Sequence, residues 1–430
     1  MSEASADSHP IDLTISSDED SMSPAGCEEL PRWLAVQRAA PRPRPQSTSP
    51  SPAAAVARTM VGECAVAQRW RQLHAGWVAG AQLSADGSLL ATAGAIDRTV
   101  RLLRRQASGD YEAALQWVAV HPKPIAALAL SRCGRLIATG SHDRSAKLLC
   151  TSSGAVLRHW PMLHEAWLCA VCFSLDGRHL ATASEDNSVK LLDISDAAGG
   201  PGTVVWHAQA VHPGPVWTLS FSRSGQLLAT GGKGPDVKVL ATGLPSHDGG
   251  GRVVLGQSVS TDGSFVRAVA FFEPLRKGGL DGDDELLAVG SDDCGLQVIS
   301  AASGRTLWSV PHLHAGPVAS IAASQTGQTL IIASGAVDGV KLVAAPAACG
   351  GVDSEQRRGV VLASVPPSLL GFADAAETWT AVRSLSFSDA GDLVVGADDG
   401  SVLLLRGLLS DVDGSEELAA HCKKKKRQKH

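Results

Sequence analysis

The sequence predicts an all-β fold, namely a seven-bladed β-propeller with disordered N- and C-terminal tails. The first observation is that a unit of short apolar strands and turn residues recurs seven times along the chain. The second is composition: hydrophobic residues make up 44% and aromatic residues 4%, so the core must be built mainly from small aliphatic side chains, as in layered sheets. The third is an additional strand ahead of the first unit, which can close a ring.

The recurring unit consists of a histidine, an apolar strand, a turn of the Ser-x-x-Gly type, a strand ending in Ala-Thr, a turn containing Asp, and a strand similar to Val-Lys-Leu-Leu. In the three clearest units the histidine and the turn Asp are His74 and Asp97, His121 and Asp143, and His164 and Asp186, which are 23, 22 and 22 residues apart. A fourth unit starts at His212, and weaker units occupy residues 266–299, 314–343 and 379–405.

Each unit supplies three strands, and a fourth lies in the segment leading to the next histidine, as in residues 115–120. Four strands make one blade. The last unit ends after its third strand at Leu405, whereas residues 64–72 form an orphan strand before the first unit. We expect this orphan strand to complete blade seven, which joins the two ends of the ring without a long open edge. The predicted propeller spans residues 63–407, and residues 1–60 and 408–430 are tails.

At these residues the chain resembles the WD-repeat (WD40) β-propeller family over residues 63–407. In that family the blade histidine, a strand Ser or Thr and the turn Asp form a buried hydrogen-bond chain. The resemblance therefore implies a structural role for His121, Thr139, Asp143, His164, Thr182 and Asp186.

The sequence departs from the family pattern in several units. The Trp of the Trp-Asp pair is replaced, for example by Leu103, Leu149 and Leu192, so the hydrogen-bond chain should stop at the Asp. Gly234 stands where the fourth unit should carry Asp, and the fifth and seventh units lack the histidine. We expect these departures to affect individual blades and not the fold, because the apolar strands remain.

Family resemblance also implies a partner-binding face. In such propellers the residues just after the blade histidine and just before the turn Asp surround one mouth of the central channel. The corresponding residues here are Trp77, Trp167, Trp217, Phe265, Arg267, Arg383, His142, Glu185, Asp292 and Asp398. Large aromatics and Arg dominate binding hot spots. The alternative interpretation is that the Trp residues pack between blades, as we expect for the outer-strand residues Trp70, Trp117 and Trp160.

Nothing in the sequence predicts catalysis, a metal or a cofactor. The His–Asp pairs recur with the repeat, whereas an active site is singular, and no Gly-x-Ser-x-Gly nucleophile motif accompanies them. Cys169 and Cys172 have zinc-ligand spacing but lack a second pair. Residues 281–285 form an acidic loop without the ligand spacing of an EF-hand. No run approaches the roughly 18 apolar residues of a membrane span.

The N-terminal tail contains a segment that resembles a SUMO-interacting motif. Its apolar core is Ile11, Asp12, Leu13, Thr14 and Ile15, and acidic residues follow up to Asp20. A short β-branched strand can add to an exposed sheet edge while the acids pair with a basic rim. Phosphorylation of Ser16 or Ser17 would add charge there. A solvated acidic tail without a partner is the alternative.

The C-terminal tail ends in a polybasic run, Lys423, Lys424, Lys425, Lys426 and Arg427, that resembles a nuclear localisation signal. Such runs also bind nucleic acid or anionic lipid. Nine cysteines without framework spacing indicate a reducing compartment. We expect a nuclear protein, with the cytoplasm as the alternative.

Taken together, these features predict a non-enzymatic scaffold that binds protein or peptide partners in the nucleus and binds SUMO through residues 11–20. One alternative is a substrate receptor of a cullin-type ubiquitin ligase, although the Trp-Asp-x-Arg signature of that group is missing. The other is an RNA-associated ribosome-assembly factor that uses the basic tail.

Overall fold

Short alternating strands fold here into seven sheets arranged as a propeller, six with four strands and one with five. The computed structural model describes residues 11–14, 65–195, 202–244, 250–259, 263–272, 285–326, 329–344, 360–366 and 381–408. The predicted all-β propeller of seven blades is confirmed.

Each blade is antiparallel, and its strands follow one another from the central channel outward. The strands of blades 1 to 3 are β3 (Val78–Leu83), β4 (Leu89–Gly94), β5 (Val100–Arg105) and β6 (Tyr111–Val118); β7 (Ile125–Leu130), β8 (Leu136–Ser141), β9 (Ala146–Cys150) and β10 (Val156–Trp160); and β11 (Leu168–Phe173), β12 (His179–Ser184), β13 (Val189–Asp193) and β14 (Thr203–Ala208). Blades 4 and 5 comprise β15 (Val216–Phe221), β16 (Leu227–Gly232), β17 (Asp236–Ala241) and β18 (Val253–Ser258), then β19 (Val266–Phe272), β20 (Leu286–Ser291), β21 (Leu296–Ser300) and β22 (Thr306–Val310). Blade 6 contains β23 (Ser320–Thr326), β24 (Thr329–Ala336), β25 (Gly339–Ala344) and β26 (Val360–Val365).

Blade 7 is assembled from both ends of the propeller. Its inner strands are β27 (Val382–Phe387), β28 (Leu393–Ala397) and β29 (Val402–Arg406), and its outer strand is β2 (Ala65–Trp70). β2 runs antiparallel to β29, with Ala65 opposite Arg406 and Trp70 opposite Val402. The predicted closure of the ring by the strand before the first unit is therefore confirmed.

The hydrophobic core lies between neighbouring blades. Between blades 1 and 2, for example, the buried residues Val100 and Leu102 of β5 share one cluster with Ile125 and Leu128 of β7 and Ile137 of β8. Side chains of this size each contribute about 1.5–3 kcal/mol when fully buried. Repetition of this interface around the ring holds the blades together and fixes the two channel mouths.

Tryptophans on the outer strands also join neighbouring blades. Trp117 is fully buried and its indole N–H donates to the carbonyl of Gly154 at 2.7 Å. Trp206 donates in the same way to Thr242 at 2.9 Å, and Trp160 is 7% exposed. These contacts agree with the packing role expected for outer-strand tryptophans.

Blade 1 carries a fifth strand that the sequence analysis did not anticipate. β1 (Ile11–Thr14) runs parallel to the outer strand β6, with Ile11 opposite Leu115 and Thr14 opposite Val118. Four residues from the N-terminal segment thus belong to the sheet of blade 1. Within the described ranges, no helix is long and apolar enough to cross a bilayer.

Candidate functional site

A repeated backbone hydrogen bond builds one face of the propeller. In most blades the residue before the turn Asp donates its N–H to the carbonyl of a residue at or just before the start of the innermost strand. Four such pairs are His142 to Pro124 at 3.0 Å, Glu185 to Trp167 at 3.0 Å, Asp292 to Phe265 at 3.0 Å and Asp398 to Ala381 at 3.1 Å. In blade 1 the donor to the Trp77 carbonyl is Ala95, two residues before Asp97, at 3.0 Å. This bond brings the two sequence positions expected on the partner-binding face side by side at the same channel mouth.

Blades 4 and 5 place four of the predicted residues in one cluster. The rings of Trp217 and Phe265 meet edge to face, with centroids 5.6 Å apart. The guanidinium of Arg267 lies 4.4 Å from the Trp217 ring centroid and 5.9 Å from that of Phe265. The same guanidinium donates to both carboxylate oxygens of Asp292, at 2.6 and 3.0 Å. We call these four residues the Trp217–Arg267 cluster.

The cluster combines low exposure with strong polar contacts. The Arg267 side chain is only 8% exposed and that of Asp292 is 21% exposed. A fork-shaped pairing of Arg with a carboxylate fixes both side chains, and the aromatic faces add a cation–π contribution. Trp217 and Arg267 also line a cavity of about 210 Å³ in the central channel. The cluster is therefore a preorganised part of the channel mouth.

Blade 7 repeats the ion pair without the aromatic rings of blades 4 and 5. Arg383 donates from Nε to Asp398 Oδ1, and from Nη2 to Oδ2 at 3.3 Å. Arg383 is 15% and Asp398 25% exposed at the side chain. Blades 5 and 7, the two whose sequence units lack the histidine, each carry an Arg–Asp pair on this face.

Blades 2 and 3 bring a third pair of predicted residues together. The rings of His142 and Trp167 stack with centroids 4.3 Å apart and an interplanar angle of 10°. Trp77 of blade 1 is partly exposed, and near it Ile96 is 47% exposed. Eight of the ten predicted face residues therefore form three contact groups, while Trp77 and Glu185 are placed by their backbone pairs.

One predicted position differs from the others. Trp217 lies inside β15, two residues beyond the position that Trp77, Trp167 and Phe265 occupy ahead of their strands. That shift turns Trp217 into a channel-lining residue at the level of Arg267. The family correspondence did not separate these two positions, because both follow the histidine closely.

Under the face lies the histidine hydrogen-bond chain. In blade 2, Nε2 of His121 lies 2.8 Å from the Thr139 hydroxyl, and Nδ1 lies 2.9 Å from Asp143. An ionised carboxylate only accepts, so Nδ1–H is the donor. Equivalent chains link His74 with Thr92 and Asp97, His164 with Thr182 and Asp186, and His314 with Ser334 and Asp338.

These chains shift the acidities of their members. Burial lowers the pKa of His121 and keeps the ring neutral. Burial alone would raise the pKa of Asp143, but hydrogen bonds from His121 and Ser145 outweigh it and lower that pKa to about 2. The side chains of His74, His121 and His164 are fully buried. Because no substrate can reach these rings, their geometry fits a structural role.

Sequence reasoning missed two further members of this network. The residue two positions after the turn Asp closes the chain, as Ser145 Oγ–H does by donating to Asp143 at 2.6 Å. A lysine on the third strand donates its ammonium to the carbonyl just before the blade histidine. The lysine bonds run from Lys147 to Val120, Lys190 to Leu163, Lys238 to Val211 and Lys341 to Leu313. The recurring lysine followed by two aliphatic residues carried this signal.

Blade 4 has an incomplete chain. His212 Nε2 lies 2.9 Å from the Thr230 hydroxyl. Gly234 offers no carboxylate, and among the described residues Nδ1 of His212 has no hydrogen-bond partner. Burial and the nearby Lys238 lower the pKa of His212 to about 4. The departure noted in the sequence thus leaves one buried polar atom unsatisfied.

The remaining predicted sites have few described residues. Cys169 and Cys172 lie on β11, and burial raises the pKa of Cys172 to about 12, so its thiol is protonated. The part of the chain that the structure describes contains no group of three or more potential metal ligands. Residues 281–284, Ile15 and the basic run Lys423–Arg427 lie outside the described residues, and of the SUMO-like segment only the backbone of Ile11–Thr14 is described.

A comparison with protein-family models identifies the repeat. The model "WD domain, G-beta repeat" matches residues 115–149, 157–193, 206–254 and 375–404. The chain is a WD40-repeat β-propeller. The first three WD40 matches each begin on an outer strand, β6, β10 or β14, and extend into the following blade. Each matched unit therefore begins one strand before a blade does. Because of this offset, blade 7 takes its outer strand, β2, from the segment before the first unit. A comparison with curated proteins found no match.

WD40 propellers typically act as non-catalytic scaffolds that bind protein partners. The geometry described above is consistent with this role: the repeated His–Asp pairs are buried inside the blades, while aromatic and Arg side chains gather at one channel mouth.

Proposed function

We propose that this WD40 propeller is a nuclear scaffold that binds a protein or peptide at the channel mouth carrying the Trp217–Arg267 cluster. The single observation that carries the proposal is the cluster itself, in which Arg267 is held between two aromatic rings and Asp292. Fixed aromatic and Arg side chains lose little conformational freedom on binding, so they suit a hot spot.

Surrounding residues provide a rim of mixed character. Trp77 and Trp167 are partly exposed on neighbouring blades, and Ile96 is 47% exposed. Glu185 adds a carboxylate to the same mouth, whereas the carboxylates of Asp292 and Asp398 are paired with Arg267 and Arg383. A partner segment with one apolar anchor and a basic group placed toward Glu185 would complement this surface. Apolar contact would supply affinity, and the charges would orient the segment.

Photo-cross-linking tests the location of this surface. A photoreactive phenylalanine analogue replaces Trp77 or Trp167 on the face, and Val254, which is 45% exposed on the outer strand of blade 4, serves as the matched control position. We expect the same cross-linked partner from both face positions and none from position 254. Cross-links that form equally well at all three positions would refute a specific face.

The N-terminal segment adds a second contact in this proposal. Residues 11–15 bind SUMO as an added strand, and Asp18–Asp20 pair with its basic rim. Two linked contacts raise the overall affinity through effective concentration. Calorimetric titration of SUMO into the intact protein and into an Ile11→Ala, Leu13→Ala double variant tests it. Equal heats for both proteins would exclude this contact.

Nuclear import through the polybasic C terminus is the third part. We expect a fluorescent fusion of the full chain to accumulate in the nucleus, and a variant with Lys423–Arg427 changed to Ala to lose that accumulation. A cytoplasmic distribution of the unaltered chain would refute the nuclear assignment.

A further inference from the structure

The fifth strand of blade 1 places the SUMO-like segment on the propeller. β1 adds to β6 in parallel, and its four residues are Ile-Asp-Leu-Thr. We propose that the outer edge of blade 1 is a strand-docking site for the chain's own residues 11–14, and that this docking competes with SUMO for the same residues. The competition rests on the proposed SUMO contact. The docking of residues 11–14 on blade 1 does not depend on that contact.

The outer edge of blade 1 suits an added strand better than its counterparts. β6 has eight residues, whereas β2, β10, β14, β18, β22 and β26 have five or six. Between Ala113 and Val118 the strand has no charged side chain, a property that β18 and β26 share. An outer strand presents unpaired backbone N–H and C=O groups, and the greater length of β6 gives four consecutive residues room to pair.

The register shows which residues of the segment are engaged by the docking. Ile11 and Leu13 are opposite Leu115 and Trp117 of β6, and all four residues of β1 have a paired residue there. SUMO would bind the same four residues as a strand added to its own sheet. We therefore expect docking on blade 1 and binding of SUMO to compete for residues 11–14.

Basic residues lie where the chain leaves β1. Thr14 is opposite Val118 at the end of β6. Just beyond, Val120 donates its N–H to the Arg98 carbonyl at 3.1 Å, and Arg98 donates to the Pro122 carbonyl at 3.0 Å. Lys123 beside them is exposed. In the sequence the acidic run Asp18–Asp20 begins four residues after Thr14, so we expect its charge to favour docking at this basic end of blade 1.

Hydrogen exchange of the intact protein tests the docking site. The Leu13→Pro variant cannot maintain β1, because proline removes an N–H and its ring disfavours strand pairing; Ala54→Pro is the matched control elsewhere in the N-terminal segment. We expect the amides of residues 115–118 that face β1 to exchange about tenfold faster in Leu13→Pro than in the unaltered protein or the control. Residues 66–70 of β2 should be unchanged in all three proteins. Equal exchange at 115–118 in all three would overturn the proposal.

A second measurement separates docking from SUMO binding. Saturating SUMO is added to the unaltered protein, and a synthetic peptide of residues 8–22 is titrated with SUMO alone. If SUMO raises the amide exchange of residues 115–118 in the unaltered protein to the rate seen in Leu13→Pro, the result supports competition. If the peptide binds SUMO but the edge stays protected, the competition is overturned. If the peptide does not bind SUMO while Leu13→Pro still exposes the edge, the SUMO contact fails and the docking site stands.

Discussion

The guanidinium of Arg267 lies 4.4 Å from the ring centroid of Trp217 while it donates two hydrogen bonds to Asp292. These residues are contributed by adjacent blades, since Trp217 lies on β15 and Arg267 on β19. The contact therefore couples the stability of one blade interface to the shape of the channel mouth. This dual role makes its effects measurable in both folding and binding.

Replacing Arg267 should show how much its two hydrogen bonds to Asp292 contribute to the stability of the fold. Arg267→Lys keeps the charge but loses the paired hydrogen bonds, and we expect a loss of about 1 kcal/mol in the free energy of unfolding. Arg267→Ala also leaves Asp292 partly buried without its partner, and should cost about 3 kcal/mol. Urea denaturation followed by Trp fluorescence measures both, with Arg305→Ala at an exposed position as the control. A lysine variant as stable as the original protein would contradict this account.

Thr139 tests the histidine chain of blade 2. Thr139→Val is nearly isosteric but removes the hydroxyl that lies 2.8 Å from His121 Nε2. We expect a loss of about 1–2 kcal/mol, since a buried acceptor is left unsatisfied. Thr203→Val, at an exposed position on β14, is the matched control and should change stability by less than about 0.5 kcal/mol. Equal denaturation midpoints for the two variants would argue against a stabilising chain.

Lys147 tests the network member that the sequence reading missed. Lys147→Met keeps the length of the side chain but removes the donor that lies 2.7 Å from the Val120 carbonyl. We expect a loss of about 1–3 kcal/mol, because that carbonyl loses its charged donor. Lys233→Met, at an exposed site, serves as the control. Thermal denaturation by circular dichroism compares the two, and an unchanged midpoint for Lys147→Met would show that the bond contributes nothing.

His212 should make stability depend on pH. Its pKa is about 4 in the folded protein, below the ordinary value of 6.5, because the ring is buried without a carboxylate. The unfolded chain therefore binds the proton first as the pH falls. The contribution of His212 is complete above pH 6.5 and is lost progressively down to about pH 4, by about 3 kcal/mol.

Denaturation midpoints at pH 7, 6, 5 and 4.5 measure this effect in the original protein and in His212→Asn. The variant should lose less stability on acidification, whereas His312→Asn, at an exposed site, should follow the original protein. Parallel pH profiles for the original protein and His212→Asn would contradict the assignment. Asp143, whose pKa is lowered from 3.8 to about 2, contributes stability that is complete above pH 3.8 and is lost as the pH falls toward about 2, below the range of this experiment.

Ring closure depends on β2, and two truncations test it. Removal of residues 1–60 leaves β2 intact, and we expect cooperative unfolding to persist. Removal of residues 1–72 deletes the partner of β29 and exposes the edge of blade 7. We expect this shorter protein to unfold at a clearly lower denaturant concentration or to aggregate, as seen by light scattering. Identical unfolding of both truncations would rule out closure by this strand.

Much of the fold was predictable because the repeat is periodic. The spacing from His121 to Asp143 and the apolar strands gave the blades, and the orphan strand before His74 gave the closure. Pairing of β1 with β6 was not predictable, because a four-residue segment has no periodicity and its position depends on a distant edge. Such long-range pairing needs the edge of β6, which is in place only after the propeller has folded.

The site was predictable only as a set of residues. Family correspondence placed Trp167 and His142 on one mouth, but the stacking of their rings depends on two adjacent blades. Likewise, the Arg267–Asp292 pair follows from side-chain lengths and burial that a linear pattern does not contain. The Lys147 bond to Val120 was visible as a repeated lysine, yet a lysine on a strand is ordinarily solvated.

The central claim is that the channel mouth with the Trp217–Arg267 cluster binds partners. Quantitative affinity purification of the intact protein beside a Trp77→Ala, Trp167→Ala, Trp217→Ala variant tests it most directly. A Val204→Ala, Val253→Ala, Val254→Ala variant, altered at exposed outer-strand positions, is the matched control. Both variants must first show cooperative unfolding. The account predicts that the Trp variant loses a defined set of nuclear partners that the Val variant keeps. Retention of the same partners by the folded Trp variant would contradict it and would make these tryptophans packing residues.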